Sequence, residues 1–173
     1  MNTQKYPKPL IIMHWLTVLL LIVEAGVGLY LETLEFNEQN FNVFRLHAFT
    51  GVFILIITLF RFSYKVRHLQ DLPEIEYYSK GHEKLVKAVH GLMYLLLIII
   101  PVVGLYSIYT IGGLQYDLGG PFPTQEPPHN LVEIHENLVI LLGILVLMHV
   151  GGVIMYAKKT GENPLRKICL LMK

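Results

Sequence analysis

Charge is scarce in this chain. Only 16% of its 173 residues are Asp, Glu, Lys or Arg, while 53% are hydrophobic. That balance, with a mean hydropathy of +0.49, lies outside the range of an ordinary soluble domain. Cysteine is rarer still. Cys169 stands alone, which excludes an internal disulfide and any cysteine-ligated metal cluster. A phosphate-binding P-loop, a strand-framed GxGxxG and a nucleophile elbow are also missing. Repeats and low-complexity tracts are absent, so the chain reads as a single domain over residues 1–173. The formal net charge of +1 says little by itself, and no nucleic-acid partner is expected.

Long apolar runs are what the sequence does have. A hydrocarbon core of ~30 Å takes ~20 residues of helix to cross. Four segments qualify: Leu10–Leu31, Phe44–Tyr64, Leu85–Tyr109 and Leu131–Tyr156. The expected fold is therefore all-α, an integral membrane four-helix bundle set in a lipid bilayer. The first span is too long for a signal-peptide core, lacks an Ala-x-Ala exit and carries His14 and Glu24, so it is expected to stay. Basic residues set the orientation. Lys5 and Lys8 precede the first span; Lys65, Arg67, Lys80 and Lys84 lie between the second and third; Lys158, Lys159, Arg166, Lys167 and Lys173 follow the fourth. The other two connections carry none, with Arg45 at the edge of the second span. Both termini are accordingly expected in the cytoplasm. The connection "IGGLQYDLGGPFPTQEPPHN" reads as irregular backbone on the outer side and a candidate partner surface, and the tail "NPLRKICLLMK" as an inner interfacial segment.

Histidines then sort by depth. His14 and His149 fall near the inner face, as does His90 of the third span; His47 and His135 fall near the outer face. His135 and His149 are fourteen residues apart, a rise of ~21 Å with their directions ~40° from coincidence. One face of the fourth span thus offers an imidazole at each depth, and another span supplies a second imidazole at each. Paired neutral imidazoles from facing helices are an axial set for b-type haem. Gly51, Gly143, Gly151 and Gly152 would let a flat macrocycle near the backbone, and Trp15, Phe49 and Phe53 could pack on its faces. Arg45 and Arg61, at opposite ends of the second span, would suit propionates.

Each of these residues has a plainer reading. A single membrane histidine can serve as an interhelical hydrogen bond, glycines as close-packing residues, and arginines as cations snorkelling to the interface. Two depth-matched pairs favour haem ligation. His90 is open between a quinone site, a proton relay and an interhelical hydrogen bond. Glu24, in mid-span, needs a protonated carboxyl or a polar pocket. Pro101 is expected to kink the third span, and His68, His82 and His129 are expected to be solvated in loops. A metal-ion or proton transporter is the rival from another class, but its ligands would sit nearer the midplane with carboxylates beside them.

The stretches "HW" at His14–Trp15, "RLHAFTGVFILIITLFR" from Arg45 to Arg61, "HGLMYLLLIIIPVVGL" from His90 to Leu105, and the fourth-span pair resemble the bacterial cytochrome b561 family. That family is related to the cytochrome b subunits of nickel-iron hydrogenases and formate dehydrogenases. The resemblance covers roughly residues 5 to 168. It implies two haems b exchanging electrons with quinone in the bacterial inner membrane. Carried over, His14 and His149 would ligate the inner haem and His47 and His135 the outer one, while His90 matches a non-ligand. It leaves open a stand-alone enzyme, an anchor subunit for a dehydrogenase or other periplasmic or membrane redox partner, and superoxide oxidation at the outer face. The last would want a positive funnel, whereas Glu32, Glu35, Glu38, Asp117, Glu126 and Glu133 outweigh Arg45 there.

Overall fold

The structure, a computed structural model, describes residues 4–74 and 76–170. Its elements are α1 (Lys8–Leu31), α2 (Phe41–Arg67), a 3-10 turn (Leu69–Asp71), α3 (Lys80–Thr110), α4 (Gly113–Asp117), α5 (His129–Thr160) and α6 (Leu165–Ile168). No strand occurs among the described residues. The four long helices, α1, α2, α3 and α5, are each long and apolar enough to cross a membrane.

All four begin before the apolar segments that announce them, and in α3 polar residues stabilise the added turn. In α3 the Ser79 hydroxyl accepts from the backbone N–H of His82 at 3.1 Å, and Lys87 pairs with Glu83 at 2.5 Å one turn apart. The 31 residues of α3 rise ~46 Å, so its ends project beyond a ~30 Å hydrocarbon layer.

Helix α1 packs on α2, α2 on α3, and α3 on α5, while α1 and α5 make few contacts with each other. The buried core is narrow: Ile54 from α2, Leu96, Leu97 and Ile100 from α3, and Leu142 and Leu145 from α5, with Leu20 and Leu21 of α1 against it. Many other apolar side chains, among them Ile22, Leu29, Phe60 and Leu147, are exposed. In lipid that is the stable arrangement, since helices there associate by close packing rather than by escape from water.

One end of the bundle gathers both termini. The Tyr6 N–H donates to the Lys167 carbonyl at 2.9 Å, Lys5 Nζ to the Cys169 carbonyl at 3.1 Å, and Lys167 Nζ to the Glu74 carbonyl at 2.7 Å. Trp15 Nε1 donates to the Ile168 carbonyl at 2.9 Å. The tail is thus a strap, with α6 inside it, tied to α1 and to the α2–α3 connection. Burial raises the Tyr6 phenol above its usual pKa, and Tyr77 adds to the effect. We call this the basic end. Trp15→Phe removes one side chain–backbone hydrogen bond, about 1 kcal/mol. Faster tryptic cleavage at Arg166 or Lys167, with the helical content unchanged, is the expected result; an unchanged cleavage rate would show that the strap holds without it.

At the opposite, acidic end the Gly- and Pro-rich connection departs from the irregular backbone expected of it. Residues Gly113–Asp117 form α4, bracketed by Gly112 (φ +82°) and Gly119 (φ +92°) in left-handed conformations that favour glycine. Aromatic rings from distant parts of the chain order it. Phe41 meets Tyr116 at 5.2 Å and Phe122 at 5.5 Å, both edge to face, and Phe36 lies 5.5 Å from Phe122. A 2.8 Å hydrogen bond to Glu38 ties Tyr116 to the α1–α2 loop and raises its phenol pKa.

Candidate functional site: two clusters of histidine

The bundle brings the intramembrane histidines into two groups. Toward the acidic end, His47 of α2 and His135 of α5 face each other with ring centroids 6.1 Å apart. The backbone of α3 positions the second ring: His135 Nδ1 lies 3.1 Å from the Ile100 carbonyl and can only donate to it. Pro101, inside α3, withdraws its own N–H from the helical ladder just beyond that carbonyl. One turn further on, Gly104 gives the imidazole room, since a Cβ there would stand 3.1 Å from His135 Cε1 and 3.3 Å from Nδ1. His47 Nδ1 lies 3.1 Å from Oε1 of Glu24 on α1. That contact is within ion-pairing distance but off hydrogen-bond alignment, so Nδ1 has no aligned partner.

Toward the basic end three imidazoles gather. His90 and His149 approach edge to face at 4.9 Å, and His90 Nδ1 donates to the Val86 carbonyl at 2.7 Å. Both rings are close enough to His14 to interact with it electrostatically. An Arg61 N–H donates to His14 Nδ1 at 3.0 Å, and the same guanidinium lies 5.5 Å over the Tyr94 ring, which Lys65 also covers at 5.7 Å.

These arrangements can be set against what a haem iron asks of two axial imidazoles. Bonds of about 2 Å to ring nitrogens on opposite sides of the metal put the ring centroids about 6 Å apart. His47 and His135 meet that spacing; His135 Nδ1 donates to a carbonyl and His47 Nδ1 lies 3.1 Å from a carboxyl oxygen, so Nε2 is the nitrogen of each ring left for a metal. Their planes differ by 70°. The His90–His149 separation is too short for an iron between them. His14 and His149 offer the right donors, with His14 turned to Arg61; an arginine can only donate, so the neutral His14 ring carries its proton on Nε2.

The remaining sequence candidates fall as follows. Arg45 is not free at the membrane edge: its Nε lies 2.7 Å from Asp117 of α4. The local charge is thereby neutralised, and no basic pocket forms there. Gly51 does not open onto empty space, since a Cβ would meet Glu24 Oε1 at 3.4 Å, whereas at Gly143, Gly151 and Gly152 it would meet nothing within 4 Å. Trp15 leans edge-on to His14 at 5.4 Å and spends its indole N–H on the tail. His82 is in the first turn of α3 rather than in a loop, stacked on Tyr78 at 3.9 Å and near Tyr156 at 5.9 Å. His68 stacks on Tyr64 at 4.0 Å, while His129 opens α5 with an exposed ring. Three participants escaped sequence reasoning: the Ile100 carbonyl, Gly104, and Asp117 as the partner of Arg45. The spacing of Gly104 from Pro101 was a usable signal for the second; the other two depend on tertiary neighbours.

Residues 5–168 match the family model described as prokaryotic cytochrome b561. The chain belongs to the prokaryotic cytochrome b561 family. No curated protein matches it. As a family member with four membrane-length helices it is a multi-pass membrane b-type cytochrome, and haem b and electron transport come with that membership. The transporter reading falls away with it.

Proposed function

We propose that this cytochrome b561 is a dihaem protein of the bacterial inner membrane that moves electrons between its two faces, to or from the quinone pool. The observation that carries the reading is the 6.1 Å pairing of His47 with His135 near one end, while α5 delivers His149 to a second histidine cluster near the other. On this reading residues 1–173 are one functional domain, and the lysine and arginine distribution puts the basic end in the cytoplasm. His47 and His135 hold the outer haem, and His14 and His149 the inner one. Bound haem supplies reversible one-electron chemistry at iron, tuned by these ligands and their partners.

The chain's own residues do the rest. The Ile100 carbonyl orients the His135 imidazole. Arg61 is the cation for an inner propionate, and its departure from His14 Nδ1 lets that ring turn its unprotonated nitrogen inward. Arg45, already paired with Asp117, has a weaker claim on an outer propionate. Gly51 faces Glu24 rather than open space, and Trp15 closes the inner pocket against the tail. His90, beside Arg61, Lys65 and Tyr94, is the quinone-site residue: its Nδ1–H is held by Val86, so Nε2 can accept from a quinol hydroxyl.

The test is a pyridine haemochrome assay with reduced-minus-oxidised spectra on detergent-purified protein, followed by anaerobic quinol. Two haems b per chain, both reduced by quinol, are expected. One haem per chain defeats the dihaem reading, and two haems indifferent to quinol defeat the quinone one.

A further inference from the structure

A carboxyl group in the middle of a membrane helix is costly enough to require a partner, and none of the roles assigned above explains why Glu24 is there. Its side chain is only 15% exposed. Oε2 is buried without a hydrogen-bond partner, and so is His47 Nδ1, which lies 3.1 Å from the other oxygen, Oε1. A carboxyl group and an imidazole, each with a buried polar atom left unpartnered, thus meet across the α1–α2 contact. The backbone around them makes room for that. At Gly51, one turn beyond His47, a Cβ would stand 3.4 Å from Oε1; at Gly28, one turn beyond Glu24, it would stand 3.6 Å from His47 Cε1. A methyl group at either glycine would lie in van der Waals contact with the pair, so the two helices approach closely on both sides of it.

We infer that Glu24 is the positioning residue of the outer haem site, taking the Nδ1–H of His47 and so fixing which ring nitrogen faces the metal. The inference rests on the proposed ligation of that haem by His47 and His135. It also makes the two ligands unequal. His135 gives its Nδ1–H to a neutral backbone carbonyl, His47 to a carboxyl group, which is the stronger acceptor when ionised. A ring that donates to a carboxylate becomes a better electron donor to iron. The oxidised state, with one more positive charge at the metal, gains most from it. Glu24 therefore holds the midpoint potential of the outer haem below that of the same site without it.

The experiment compares wild type with Glu24→Gln and Glu24→Leu in detergent, reading haem content, potentiometric titration and low-temperature EPR of the oxidised protein. Glutamine keeps the shape and a weaker acceptor; leucine removes the acceptor. Two haems per chain are expected in Glu24→Gln, with one midpoint raised and the other unmoved, and with the EPR signal of the same haem altered. The upward shift is expected to be larger in Glu24→Leu. Wild-type potentials and EPR signals in both variants overturn the inference, as does an equal shift of both haems, which would reveal a general field effect. Haem loss in Glu24→Leu alongside wild-type potentials in Glu24→Gln assigns Glu24 a packing role and overturns it too. A wild type that lacks the His47–His135 haem altogether defeats the underlying ligation instead, and the wild-type haem content shows that separately.

Discussion

His135→Ala is expected to cut the haem content of the purified protein from two haems b per chain to one, and His149→Ala to do the same with the opposite haem surviving. On the proposed ligation, α5 contributes one ligand to each site. Deleting an axial imidazole leaves an iron with one protein bond, in a pocket that no longer encloses it on that side. The surviving haem should keep its low-spin spectrum, since the two histidines are fourteen residues, or ~21 Å, apart along α5. The double variant should be colourless while retaining its helical content, because the core residues Leu142 and Leu145 between them are untouched. His90→Ala is the discriminating control. With its ring 4.9 Å from His149 there is no room for a metal between the two, so both haems should remain and quinol reduction alone should suffer. If His90→Ala instead abolishes the inner haem while His14→Ala spares it, the inner ligand pair has been misassigned.

How much of this was legible in the sequence varies with the range of the interaction. The four helices were, because twenty apolar residues in a row have few other fates. Their ends were not: Lys80–Lys84 of α3 is polar, and its helicity depends on the Ser79 cap and a Lys87–Glu83 pair rather than on hydropathy. Pairing of His47 with His135 followed from depth alone, since α2 and α5 both start at the acidic end and each carries its histidine within its first two turns. What depth cannot say is which neighbour each ring leans on. Glu24 stood out as costly, yet its partner became visible only when α1 was seen packed on α2. Arg45 shows the reverse failure. A cation at the edge of a span looks available, but a five-residue helix folded from a Gly- and Pro-rich stretch carries Asp117 to it. The aromatic cluster that seats this helix draws on Phe36 and Phe41, a contact pattern without a local signature.

Gly104→Val should cost the outer haem almost as completely as the loss of its ligand, without touching that ligand. A Cβ at this position would lie 3.1 Å from His135 Cε1 and 3.3 Å from Nδ1. Alanine therefore forces the imidazole back by a few tenths of an ångström, away from the Ile100 carbonyl that orients it. Valine adds two γ carbons on a side chain with few rotamers, and the ring must leave the α3 backbone altogether. Haem content near two per chain with a shifted outer midpoint is expected for Gly104→Ala, and near one per chain for Gly104→Val. The sign of the stability change separates this from ordinary damage. Glycine in a helix interior is less favourable than alanine by about 1 kcal/mol, so the haem-free Gly104→Ala protein should unfold no more readily than haem-free wild type. A site that weakens while its helix does not is the signature of a residue kept small for the ring beside it. If Gly104→Val retains two haems with wild-type potentials, the close approach of His135 to α3 is not what seats that ligand.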